Sequence, residues 1–178
     1  GVTIICSDAE IGESGIINGT TYTKRSKDQI TPENASRTCT SGITDITYLF
    51  ENQSTFNEDI SHWDISSVTK MTGIFHKAFE FNQPLNYWDL SNVTDLDSVF
   101  MYAIAFDQDL SNWSTTNVNS LNKTFFHARA FNNNISTWDV SNVTSMENTF
   151  AAAFKFNTAI EDWDVSNVQN MNGMFTSA

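Results

Sequence analysis

His62, Asp64 and Ser66 are the residues whose types most directly suggest chemistry, because they bring a base, a carboxylate and a hydroxyl to alternate positions of one short segment. If that segment is extended, all three share a face, yet alternate residues of a strand stand about 6.5–7 Å apart. A nucleophilic triad needs hydrogen-bonded contact and an oxyanion hole, and nothing nearby supplies either. His76 and His127 stand alone, too isolated for a metal site. No Gly-rich phosphate loop is present, so catalysis is not expected. Asp64, Asp89, Asp139 and Asp164 form a second set, with Ser114 in the third place. Like charges on adjacent strands repel, so something must offset them. Either each carboxylate accepts hydrogen bonds from neighbouring Ser hydroxyls and backbone N–H groups, or a cation such as Ca²⁺ bridges pairs of them. The uncharged Ser114 favours the first reading, in which no cofactor is required.

These sets exist because the chain repeats. Trp63, Trp88, Trp113, Trp138 and Trp163 lie 25 residues apart and are all the tryptophans there are. Counting from the Trp position, offset 5 holds Ile43, Val68, Val93, Val118, Val143 and Val168. Offset 8 holds Ile46, Met71, Leu96, Leu121, Met146 and Met171, and offset 12 is Phe in all six copies, from Phe50 to Phe175. Offset 15 is Ala in every complete copy but the first, which has Gln53. Steps of three and four predict a short helix, with Ser and Asn before it, as in Ser91-Asn92, as N-caps. Phe56, Phe81, Phe106, Phe131 and Phe156 follow at offset 18, then Asn57, Asn82, Asp107, Asn132 and Asn157, a column expected to ladder through turns. Trp and the aliphatic two residues on predict one strand face, and stacked copies predict a parallel sheet with rungs about 4.8 Å apart. The fold expected is therefore α/β: a leucine-rich-repeat-like solenoid with one short parallel strand and one short helix per 25-residue repeat, its aromatic columns filling the core.

On that frame the residue before each Trp points outward: His62, Tyr87, Asn112, Thr137 and Asp162. The row changes at every copy while the scaffold does not, which is how repeat proteins build a binding surface. With Asp64, Asp89, Asp139 and Asp164 it makes the candidate ligand-binding set; a plain solvated face is the alternative.

Residues 1–37 lack the repeat and read as an N-terminal cap; residues 38–178 read as six copies, the first degenerate at Thr38-Cys39-Thr40 and the last partial. Val2 to Cys6 predicts a strand, and Asn18-Gly19 between β-branched runs predicts a hairpin. Thr31-Pro32-Glu33 predicts the start of a short helix leading to Cys39. Cys6 and Cys39 are either one disulfide, which implies an oxidising compartment, or two buried thiols. The partial last copy suggests a piece of a longer protein. A formal charge of −12 makes nucleic acid a poor partner. No apolar run is long enough to enter a membrane, and no leader is read before Gly1.

The stretch from Ile135 to Asn157, Ile-x-x-Trp-Asp-Val-Ser-Asn-Val-Thr-x-Met-x-x-x-Phe-x-x-Ala-x-x-Phe-Asn, resembles the BspA-like family of leucine-rich-repeat bacterial surface proteins over residues 38–178. Ser114-Thr115 departs from its Asp-Val. The resemblance implies a secreted or cell-surface location and a non-catalytic adhesion role toward a protein or glycan ligand on cells or matrix. A spacer or stalk segment, stabilised by Ca²⁺ in one version, is the alternative.

Overall fold

The computed structural model describes residues 2–178. Near its start, β1 (Ser14–Ile17) and β2 (Thr20–Lys24) pair antiparallel with Ile17 opposite Thr20. Asn18 and Gly19, at φ 50° and 80°, supply the two left-handed residues that a type I′ hairpin turn requires, as the sequence predicts. β3 (Thr38–Cys39) adds parallel to β2 and completes a sheet of order β1-β2-β3. The strand expected over Val2 to Cys6 is not formed. Its N–H groups go to single, separate acceptors instead: Ile4 to the His62 carbonyl (2.8 Å) and Cys6 to Ser41 Oγ (3.0 Å). The helix expected from Thr31 is reduced to a turn, with Asn34 and Ala35 both donating to the Thr31 carbonyl, followed by one 3-10 turn at Ala35–Arg37. That turn delivers Cys39 into β3, where it is bonded to Cys6 across a Cα–Cα distance of 6.3 Å.

Beyond Cys39 the described residues contain no helix and no strand, so the expected α/β leucine-rich-repeat solenoid, with one helix and one strand per copy, is wrong. Hydrogen-bond allocation supplies the reason. Within a copy, alternate N–H groups leave for the neighbouring copy: Ile46 to the Lys70 carbonyl (2.9 Å), Tyr48 to Thr72 (3.0 Å), Phe50 to Ile74 (3.0 Å) and Asn52 to His76 (2.8 Å). The N–H groups between them turn back three residues, Leu49 to Ile46, Glu51 to Tyr48 and Gln53 to Phe50. An α-helix would consume every one of these donors along its own axis and leave none for the next copy. The tract at offsets 9–14 is thus a run of tight turns. Each complete copy has two left-handed residues in it, for example Ser98 (φ 58°) with Tyr102 (φ 59°), and Lys123 with His127, both at 56°. The second of each pair is the third residue of a four-residue turn, the place where a type II turn needs positive φ.

The parallel sheet expected at the tryptophans is absent too. Parallel pairing occurs one residue at a time at offset 7, joining Asp45 to Lys70 and running from Asp95 through Ser120 and Ser145 to Asn170. At the Trp segment the backbone bonds locally, as where Trp63 N–H meets the Ile60 carbonyl (3.1 Å). The copies are joined there by side chains. Each indole N–H reaches back 28 residues to a main-chain carbonyl: Trp88 to Ile60 (3.2 Å), Trp113 to Leu85 (2.9 Å), Trp138 to Leu110 (3.1 Å).

The core is as aromatic as the columns predict. Phe50, Phe75, Phe100, Phe125, Phe150 and Phe175 stack in sequence at 5.5–6.1 Å between ring centroids. Phe56, Phe81, Phe106, Phe131 and Phe156 stack beside them at 5.6–6.2 Å, and the two columns touch ring to ring at 3.8–4.0 Å within each copy. All five tryptophans are buried. Each fully buried Phe contributes roughly 1.5–3 kcal/mol of burial free energy, whereas Phe175, in the last copy, is half exposed. The buried Ala78, Ala103, Ala128 and Ala153 follow the rings at offset 15 in the same core.

Candidate functional site

The outward row is held by turns rather than by a strand. After every Trp but Trp113, which Ser114 follows, comes an Asp whose Oδ1 accepts the N–H two residues on, bending the chain: Asp64 to Ser66 (3.1 Å), Asp89 to Ser91 (2.9 Å), Asp139 to Ser141 (3.0 Å), Asp164 to Ser166 (3.0 Å). Ser66 and Ser141 add hydroxyl bonds of 2.7 and 2.6 Å to the same oxygens. The hydrogen bonds of the first reading are thus in place at all four carboxylates. At Asp64, burial pushes the carboxyl up, but hydrogen bonds from Ser41 and Ser66 prevail and hold it below its ordinary range. The Ser141 hydroxyl and N–H hold Asp139 down, and those of Ser166 hold Asp164 down. No group of three or more His, Cys, Asp or Glu side chains is gathered as metal ligands among the described residues.

His62 does not join the row. It is buried, its Nε2 donating to the Thr38 carbonyl (3.0 Å) and its ring 5.0 Å from Tyr22, so it pins the end of the first copy to the cap. Burial lowers its pKa. No hydrogen bond connects it to Asp64 or Ser66, so the three do not form a relay. Tyr87, Asn112, Thr137 and Asp162 are exposed, Tyr87 at 60 %. Their footing is rigid: the Asn112 N–H donates to Asn86 Oδ1 (2.8 Å) and Thr137 Oγ1 to the Ser111 carbonyl (2.7 Å).

Two ladders set that footing. The one at offset 19 is the expected one, with Oδ1 of Asn57, Asn82, Asp107 and Asn132 each accepting the N–H of the residue 25 positions on, at 2.7–2.9 Å. The other was missed. Asn92, Asn117, Asn142 and Asn167 do not cap helices; each Nδ2 donates to a carbonyl one copy back, at Ser66, Ser91, Thr116 and Ser141, at 2.7–2.9 Å. Their recurrence at offset 4 was the available signal.

Sequence reasoning also passed over offset 9. Asp97 Oδ1 accepts Ser120 Oγ (2.6 Å) and the Asn122 N–H (2.9 Å); one copy on, Asn122 Oδ1 accepts Ser145 Oγ (2.6 Å) and the Glu147 N–H (2.9 Å). An amide thus does the work of the carboxylate in the same geometry. Burial, which outweighs its hydrogen bonds and is reinforced by the charge of Asp95, raises the Asp97 pKa. A raised carboxylate pKa means that the folded state holds the proton more tightly, so the ionised form costs stability at neutral pH and the cost fades as pH falls toward the unfolded value. Asp97→Asn is expected to raise Tm at pH 7 and to lose that advantage near pH 4, as followed by thermal unfolding across pH. A lower Tm at pH 7 would contradict it.

A cleft of about 620 Å³ opens where the cap meets the first copy and is lined by Lys24, Arg25, Lys27, Glu10, Asp28 and Asp45, among others. Its cations serve the fold. Lys24 Nζ donates to the Ala9 carbonyl (2.7 Å), Arg25 to the Arg37 carbonyl (3.0 Å) and Thr38 Oγ1 (2.9 Å), and Lys27 to Asp45 (2.9 Å). The Lys27 bond and the Thr47 N–H bring Asp45 down to about 2.

Fold and surface together define a tandem-repeat protein in which 25-residue copies lie one on the next. A family model described as "Mycoplasma protein of unknown function, DUF285" matches residues 20–132 and 110–178, and the chain belongs to that family. No curated protein and no solved structure matches it.

Proposed function

We propose that this chain is a non-catalytic binding module, working outside the cell and meeting a protein or glycan ligand along the row Tyr87, Asn112, Thr137 and Asp162. The observation that carries the reading is the contrast between fixed and free positions. The Trp and Phe columns are committed to the core and the Asp and Asn columns to turns and ladders, whereas the residue before Trp88, Trp113, Trp138 and Trp163 differs at every copy and is exposed. Variation on a rigid lattice is what an extended recognition surface requires. The Cys6–Cys39 disulfide fits an oxidising location, and the absence among the described residues of any helix long and apolar enough to cross a membrane is compatible with it. The resemblance to BspA-like surface proteins points the same way.

Screening the chain against matrix proteins and surface glycans, with Ca²⁺ and with chelator, is the direct test. Tyr87→Ser combined with Asp162→Ser is expected to weaken any ligand so found by about tenfold or more while leaving Tm within about 2 °C, since both side chains are exposed. Undiminished affinity would remove the row from the site.

A further inference from the structure

A second exposed surface lies just after the turn tract, eight residues before the row above in each copy. At offset 16 successive copies present Phe79, Ile104, Arg129 and Phe154, with Phe79 40 % and Phe154 57 % exposed. Beside them Tyr102 stacks on His127 at 4.7 Å and meets Phe126 edge-on at 5.5 Å, and the Arg129 guanidinium sits 5.4 Å over the Phe154 ring. The sign of charge here is opposite to that of the molecule. Ser98 to Ala105, Lys123 to Ala130 and Asn148 to Lys155 contain no Asp or Glu, yet they hold Lys123, Arg129 and Lys155, three of the nine Lys and Arg in a chain of net −12. Asp97 and Glu147 immediately precede two of these tracts, and Glu80 follows Phe79 in the copy before them, at the offset that holds Lys155.

Most of the main chain of this surface is already spent, and the N–H groups left over at Phe79, Ile104, Arg129 and Phe154 come one to a copy. The spent N–H groups go to the neighbouring copy, as Tyr102 to Phe126 (2.8 Å) and His127 to Ala151 (2.8 Å), or back three residues, and even at the edge Ala105 and Ala130 donate to Phe79 and Ile104. A peptide cannot add here as an extra strand, because no free ladder of donors and acceptors awaits it. Recognition is left to ring faces and cations. Flat aromatic faces suit the C–H faces of sugar rings, and guanidinium and ammonium groups suit carboxylate or sulfate.

We propose that this strip is a docking surface for an acidic polysaccharide, with Phe79 and Phe154 as stacking platforms and Lys123, Arg129 and Lys155 as anion contacts. It stands independently of the Tyr87 row. The experiment measures binding of heparin, hyaluronan, uncharged dextran and poly-glutamate to the intact chain at physiological salt. The expected result is saturable binding of at least one acidic polysaccharide, weakened by added salt, with no binding of dextran. Phe154→Ala with Arg129→Gln is expected to weaken it by about tenfold, and Tyr87→Ser to leave it unchanged. All three side chains are exposed, and circular dichroism and Tm are expected to match the parent. Absence of binding to both acidic polysaccharides, equal binding by poly-glutamate, or binding that survives the double substitution would overturn the assignment.

Discussion

Trp113→Ala is expected to lower the free energy of unfolding by about 3–5 kcal/mol, the range for deleting a large aromatic from a packed core. Trp113 is buried between copies, its ring centroid 5.9 Å from Phe100 and 6.0 Å from Trp138, and its indole N–H donates to the Leu85 carbonyl at 2.9 Å. That carbonyl also accepts the Trp88 N–H at 3.0 Å, so the indole occupies its second lone pair. Trp113→Phe therefore orphans nothing outright and is expected to cost less, about 1 kcal/mol for the bond plus the lost ring volume. Denaturant titration of both variants separates the two contributions. A loss below about 1 kcal/mol for the alanine variant would mean that the columns do not hold the copies together.

How the copies are joined explains what could be read from the sequence and what could not. Periodicity located the core because burial acts on residue type: Trp, Phe and Ala recur wherever the interior needs their volume. The Asn18-Gly19 hairpin was legible because positive φ at two adjacent positions selects residue types strongly. The same reasoning failed in the turn tract. Its left-handed positions hold Tyr48, Gly73, Ser98, Lys123, Asn148 and Gly173 at offset 10, and Asn52, Lys77, Tyr102, His127, Ala152 and Ser177 at offset 14, so glycine and asparagine are a minority and no column announces the turns.

The spacing 5, 8, 12, 15 was ambiguous on its own terms, since steps of three and four also describe successive tight turns. What decides between helix and turns is where alternate N–H groups go, and that depends on a neighbour 25 residues away. Fixing so many left-handed residues of ordinary type costs local free energy, which the inter-copy bonds and the aromatic stack must offset. Gly73 shows a local constraint as well: a Cβ there would fall 2.3 Å from the Tyr48 ring, which lies against the glycine.

The candidate surfaces divide along the same line. The row before each Trp was legible because it is variable beside fixed columns, although it rests on Asp turns and Asn ladders rather than on a strand, and His62 at its head is claimed by the cap. The basic aromatic strip was not legible, because a helix would have distributed Tyr102, Phe126, His127 and Arg129 around its circumference, whereas consecutive turns bring them to one side.

Breaking the Cys6–Cys39 bond, by reduction or by Cys6→Ala with Cys39→Ala, is expected to cost roughly 3–4 kcal/mol, as for a loop of 33 residues, and to lower Tm by roughly 6–16 °C. The cap it closes is the lid of the aromatic stack. Ile30 and Ala35 belong to the same core as Phe50 and Trp63, and the Ala35 carbonyl receives the Trp63 indole N–H at 3.0 Å. Ile4, buried, is tied to His62, and Lys27 to Asp45. The Lys27 pair is partly exposed and adds at most about 1 kcal/mol, so the covalent link dominates the clamp. Because each copy contacts chiefly its neighbours, the damage should be graded along the chain. Amide hydrogen exchange is expected to rise first between Thr38 and Trp63 and to remain slow from Trp113 to Val143, whose partners on both sides are intact. Uniform loss of protection along the chain would show that the copies unfold only together, and an unchanged Tm would show that the cap holds without its disulfide.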